Sequence, residues 1–135
     1  MQMPRPNPDV LTRKAELVRR LNTLLPSDSV ISDPVETKAY ECDGLSAYRC
    51  PPMAAVLPRS TQEVAAVLKL CHEMNVPVVP RGAGTSLAGG ALPTADSLIL
   101  GVARMNDVLE TDYENRVIKV QTGRTNLSVT GAVEA

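Results

Sequence analysis

The chain has 135 residues, about one domain, and a domain of this size buries roughly two-thirds of its unfolded surface. Its net charge is −1 with acids and bases interspersed, which excludes the basic stripe of a nucleic-acid binder. Phe and Trp are absent, so the core must come from Val, Leu, Ile, Ala and Met, a composition suited to thin α/β layers.

Asn7, Pro8 and Asp9 open the first predicted helix. Asn is a good N-cap, Pro fits the first helical position, and Asp favours the positive end of the dipole. Val10, Leu11, Leu17, Val18, Leu21, Leu24 and Leu25 recur at three- and four-residue steps and predict one apolar face, ended by Pro26. Asp33 and Pro34 suit the cap of a short helix through Ala39, and residues 40–53 read as an ordered loop. The apolar run 54–57, stopped by Pro58, predicts a buried strand. Ser60, Thr61, Gln62 and Glu63 have the form of a capping box. The helix they start is expected to bury Val64, Val67, Leu68, Cys71 and Met74. Asn75 closes it, and residues 76–79 form the next strand, parallel to the first across a right-handed crossover.

Beyond a glycine-rich stretch, residues 97–100 predict a strand, and 108–112 with 117–121 predict a hairpin around the turn 113–116. Thr125 or Asn126 starts a last helix, expected to reach Ala135 without a C-cap, as in a chain cut in mid-element. No apolar run has the length of a membrane segment or the form of a signal, so a cytoplasmic location is expected. Cys42, Cys50 and Cys71 form no CxxC pair and read as reduced structural thiols; no metal site is expected. His72, the one histidine, has no partner at ligand spacing and reads as structural.

The segment that carries chemistry is Pro80, Arg81, Gly82, Ala83, Gly84, Thr85, Ser86, Leu87, Ala88, Gly89 and Gly90, directly after a strand. Its glycines are half of the eight in the chain. Glycine permits positive φ and close backbone approach, so successive N–H groups can converge on phosphate oxygens. Thr85 and Ser86 add hydroxyl donors, and Arg81 either supplies charge or packs outward. Leu87 stands where a dinucleotide GxGxxG fingerprint needs its third glycine, and no Lys follows as in a nucleotide-hydrolysing phosphate loop. The residues alone leave open a phosphate- or nucleotide-binding module, which can stand alone, and an interaction or structural domain in which the glycine-rich loop is only a turn.

The run PVVPRGAGTSLAGGALP resembles the pyrophosphate loop of the flavoprotein fold shared by vanillyl-alcohol oxidase and p-cresol methylhydroxylase. The preceding YECDGLSAYRCPPMAAVLPRSTQEVAAVLKLCHEMNVP is similar to the branch holding the D subunit of glycolate oxidase and D-lactate dehydrogenases. The resemblance implies an α+β fold, the N-terminal α/β subdomain of an FAD-binding domain, truncated. Residues 1–50 would be a helical segment and ordered loop, and 51–135 the partial FAD-binding domain. It implies that Pro80, Arg81, Gly82, Ala83, Gly84, Thr85 and Ser86 hold the pyrophosphate, mainly by backbone N–H groups. Gly89 and Gly90 would shape the return of the loop, and Gly123 would lie near the flavin. Asp43 and Arg49 fall in a stretch typical of this branch, with either a substrate role or a local salt bridge or hydrogen bonds. Thr85 stands where some relatives carry the histidine that links FAD covalently, so non-covalent FAD is expected. For the whole protein the resemblance implies oxidation of a small 2-hydroxy acid such as glycolate or D-lactate, with hydride passing to flavin N5. An iron–sulfur subunit is the implied electron acceptor, and membrane association would come only through such partners. The catalytic residues are expected elsewhere, so none is assigned here.

Overall fold

A computed structural model of the chain describes residues 3–134. The Asn7 side chain accepts from the Asp9 N–H and caps α1 (Pro8–Leu11). The single helix expected from the pattern breaks there and resumes as α2 (Lys14–Leu24). At the break, the Thr12 hydroxyl and Arg13 Nε both donate to the Asp9 carbonyl, side-chain bonds that compete with the helical ladder. The apolar stripe is correspondingly narrower. Val10, Leu17, Leu21 and Leu25 are buried, whereas Leu11 and Leu24 remain 37% and 43% exposed.

Asp33 caps the next helix as expected, accepting from the Val35 and Glu36 N–H groups. That helix, α3 (Pro34–Thr37), tightens into a 3₁₀ turn at Lys38–Tyr40. Residues 41–53 then form the loop that the sequence indicated.

The main sheet has four strands: β1 (Val30–Ile31), β2 (Ala54–Val56), β3 (Val78–Arg81) and β4 (Leu98–Gly101). Their spatial order is β1-β2-β4-β3, with β1 antiparallel to β2 and the other pairs parallel. The strands flanking the long helix are parallel, but they are not neighbours, because β4 lies between them. Composition accounts for this order. Leu98, Ile99 and Leu100 are buried on both faces, which suits a central strand. Pro80 has no N–H for a ladder and suits the edge.

The long helix α4 (Thr61–Glu73) is capped by Ser60, whose hydroxyl accepts from the Glu63 N–H at 3.2 Å. The Glu63 carboxylate reaches past Ser60 to the Arg59 N–H at 2.7 Å, so the reciprocal bond falls one residue earlier than a capping box predicts. Val67, Leu70, Cys71 and Met74 form the buried stripe. Leu70 replaces Leu68, which stands 46% exposed, and Val64 is half-buried. The helix ends on Asn75 at φ 51°, with Asn75 N–H donating to His72 O and Val76 N–H to Cys71 O. This pair of crossed bonds needs a left-handed residue, a conformation Asn tolerates. The turn also delays the strand, which begins at Val78 rather than Val76.

One core cluster unites the first two helices, α4 and one face of the sheet: Val10, Leu17, Leu21, Val67, Leu70 and Cys71 against Val56, Leu98 and Leu100. Burial pushes the Cys71 thiol up to about 11 from its ordinary value near 9. The folded state therefore keeps a proton that the unfolded state loses, and stability must fall as pH rises from about 9 to about 11. In a thiol-labelling experiment at pH 8, Cys71 should react last and only after denaturant opens the core. Equal labelling rates for Cys42, Cys50 and Cys71 in the folded chain would contradict this packing.

The remaining elements are the hairpin β5 (Val108–Asp112) and β6 (Val117–Val120), and α5 (Asn126–Val133). A bulge at Leu109 shifts the hairpin register between Val108↔Val120 and Glu110↔Lys119. Thr125 caps α5, which ends at Val133 with Glu134 already outside the helix, short of the expected run to Ala135, a residue that itself lies outside those described.

Candidate phosphate cradle

Strand β3 delivers the glycine-rich loop at the carboxyl edge of the parallel strands, where open α/β sheets leave a crevice for ligands. Gly84 and Gly89 hold φ of 72° and 75°, values that strain residues with a Cβ. Among the described residues, the N–H groups of residues 82–87 meet no acceptor in the chain. Ala88 is the next donor, and it bonds the Ser86 hydroxyl oxygen at 3.2 Å. Six consecutive unengaged amides on an exposed loop are partial positive charges with nothing to bind except solvent or an anion.

Arg81 does not pack outward. Its Nη1 donates to Cys42 O at 2.7 Å and reaches Ala91 O at 3.5 Å, and its guanidinium lies 5.7 Å from the centre of the Tyr40 ring. The charge thus ties the start of the loop to its return and to the segment before β2. A Cβ on Gly84 would overlap this guanidinium, standing 2.5 Å from its Cζ. Glycine at position 84 answers both the φ and the packed cation.

A cleft of about 390 Å³ lies beside the loop. Gly82 and Ala83 line it together with Thr122, Gly123 and Arg124, and with Thr125 and Ser128 at the start of α5. The structure therefore brings Gly82, Ala83 and Gly123 together, whereas Pro80, Arg81, Gly84, Thr85, Ser86, Gly89 and Gly90 lie outside this cleft. The Gly123 N–H is already committed, donating to Met105 O at 2.8 Å. Its contribution is a close approach of backbones. Thr122, Arg124, Thr125 and Ser128 were not singled out as site residues by the sequence. Thr125 showed only as a helix cap, and Arg124 is placed by a tertiary bond from its Nη1 to Asn106 O and a local one from its Nη2 to Ser128 O. Arg124 and the positive end of α5 both favour an anion here.

Arg49 pairs with Glu41 at 2.9 Å. Asp43 is buried, and its Oδ1 accepts from the Leu45 N–H at 2.9 Å. Both residues thus make the local contacts that were one of their two expected roles. His72 is exposed on α4, and no group of three or more metal-ligating side chains converges among the described residues.

Residues 52–135 match the family described as FAD binding domain. The chain is 41% identical over 126 residues to the glycolate oxidase subunit GlcD of Escherichia coli strain K12, covering 93% of this chain and 25% of that protein. It is 43% identical over 96 residues to the Bacillus subtilis GlcD, covering 71% and 20% of the two chains. It is 35% identical over 109 residues to a D-lactate dehydrogenase of Anaerostipes hadrus, covering 80% and 23%. The chain thus spans about a quarter of the length of the first of these relatives. Among solved structures, p-cresol methylhydroxylase with substrate bound superposes with a TM-score of 0.81 at 22% identity, over 96% of this chain and 25% of that one. An alkyldihydroxyacetonephosphate synthase superposes with a TM-score of 0.80 at 22% identity, over 98% and 26%. These likenesses show the fold, that of part of a p-cresol methylhydroxylase-type FAD-binding protein, as the sequence resemblance implied.

Proposed function

Since this chain belongs to the FAD binding domain family, we propose that residues 51–135, resting on residues 1–50, seat FAD in an enzyme that oxidises a small 2-hydroxy acid. The observation that carries the proposal is the run of unengaged amides at 82–87 beside the cleft. A diphosphate needs donors that are not committed to other groups of the chain, and a fixed set of backbone N–H groups provides them without reorganisation. In this reading Pro80, Arg81, Gly82, Ala83, Gly84, Thr85, Ser86, Gly89 and Gly90 form and hold the cradle. Gly123 and Arg124 line the cleft beside it. Arg81 contributes through charge from behind the loop and by fixing its ends.

Bound FAD supplies the hydride acceptor for the oxidation. The residues here bind and orient it, and none is assigned to the proton transfer. The 2-hydroxy-acid class is supported by the names of the similar proteins, which include glycolate oxidase, D-lactate dehydrogenase and D-2-hydroxyglutarate dehydrogenase. The GlcD proteins are named as subunits, which supports a partner chain as electron acceptor, an iron–sulfur protein in our reading. Among the described residues no helix is long and apolar enough to cross a membrane. We place the protein in the cytoplasm, with any membrane contact made by its partner.

The test is to purify the product of the complete reading frame and record its absorbance. A flavin spectrum that is released on denaturation, and that D-lactate or glycolate bleaches without oxygen, is expected. Protein that holds no flavin and takes up none from added FAD would overturn the proposal. Flavin that stays with the denatured chain would overturn the non-covalent attachment read from Thr85.

A further inference from the structure

The loop before β2 touches the cradle at Gly44, which does not line the cleft. A Cβ placed on Gly44 would stand 2.7 Å from Thr85 O and 2.8 Å from Ser86 O, both backbone atoms. Gly44 has no left-handed φ among the positions that adopt one, so its glycine answers a need for space alone. The two carbonyls that press on it fix the peptide planes that follow. In a planar trans peptide the carbonyl and the next N–H point in opposite directions. Thr85 O and Ser86 O directed at Gly44 therefore turn the Ser86 and Leu87 N–H groups to the other side, and both are among the amides without an acceptor.

Two neighbours hold Gly44 in that place. The Asp43 carboxylate, 5% exposed, accepts the Leu45 N–H through Oδ1 and so closes a tight turn around Gly44. Arg81 clasps Cys42 O on the near side of the same turn. The remaining carboxylate oxygen of Asp43 is buried without a partner, so the turn is kept at a desolvation cost.

We infer that Gly44, held by Asp43, is a positioning residue for the phosphate cradle: its missing side chain lets Thr85 and Ser86 face inward and aims two amides at the diphosphate. This rests on the FAD reading above. Position 44 carries no signal in the sequence beyond loop, because a glycine required for clearance from a partner 41 residues away leaves no local pattern.

The test uses the product of the complete reading frame, stripped of flavin, with Gly44→Ala, Asp43→Ala and Asp43→Asn variants. Binding of FAD, ADP and riboflavin is measured by flavin fluorescence and by competition, beside the thermal midpoint of each apoprotein. Gly44→Ala is expected to weaken FAD and ADP at least about tenfold, the size of one or two lost charge-assisted hydrogen bonds, while riboflavin, which has no phosphate, binds as before. Asp43→Ala, which adds no atom against the loop, should shift FAD and ADP in the same direction by a smaller factor. Asp43→Asn keeps the acceptor for Leu45 and should restore parental affinity. The inference falls if Gly44→Ala and Asp43→Ala bind FAD and ADP within twofold of the parent. It also falls if riboflavin weakens in parallel, the signature of general damage to the fold. A parent that binds none of the three would instead overturn the FAD reading itself.

Discussion

Replacing Gly123 with alanine should destabilise the fold by about 3 kcal/mol or more, the upper end for overpacking a site that cannot relax. The added methyl would overlap Val102 O, and it would stand 2.8 Å from Val102 C and 2.9 Å from Met105 O. All three are main-chain atoms, so no rotamer change relieves the clash; the 102–105 turn and the 121–124 turn must separate. Their separation breaks the Gly123 N–H to Met105 O bond and disturbs the cleft that Gly123 lines with Gly82 and Ala83. Urea unfolding followed by circular dichroism measures the loss, and flavin occupancy should fall with it. Gly131→Ala supplies the contrast. There the methyl meets nothing within 4 Å on an exposed helix, and about 1 kcal/mol of stabilisation is the most that helix propensity provides. Equal stabilities for the two variants would mean that the Val102 turn does not press on Gly123.

Leu98→Ala should cost a similar amount, about 3 kcal/mol, for a different reason. Leu98 is fully buried at the centre of the sheet, paired in register with Ala54 on one side and Val78 on the other. Truncation leaves a cavity between β4 and the helices that the flanking strands cannot collapse to fill. The same change at Leu68, 46% exposed, should cost under about 1 kcal/mol, since little apolar area is lost. The pair of denaturation curves discriminates cleanly, because the sequence alone had placed Leu68 in the buried face. Leu98→Ala should also disturb the ligand loop, since among the described residues β4 is the one strand paired with β3, and Arg81 pairs there with Gly101.

Local chemistry was legible where it acts locally. The caps at Asn7, Asp33, Ser60 and Thr125 form as their residue types indicate, and so does the hairpin after Asp107. The glycine-rich loop was legible as a ligand loop, since glycine density after a strand has few other uses. Tertiary arrangement was not. Leu68 and Leu70 are equally apolar, and only the direction of the sheet from α4 chooses between them. The order β1-β2-β4-β3 depends on a strand inserted 17 residues beyond β3, which no periodicity within the earlier unit reveals. Arg81 left two directions open in the sequence, and the backbone carbonyls of Cys42 and Ala91 decided between them. Arg124 joined the candidate site through its bond to Asn106 O, a contact with a turn 18 residues earlier.

The placement of Pro80 on the outermost strand also bears on how the chain behaves in company. An unpaired strand border is a template for another molecule's backbone, and stacking by that route leads to fibres. Proline interrupts the row of hydrogens such a newcomer would need, and the loop that begins two residues later turns the chain away from further pairing. The strand that presents the cradle is thereby kept from recruiting its own kind at high concentration.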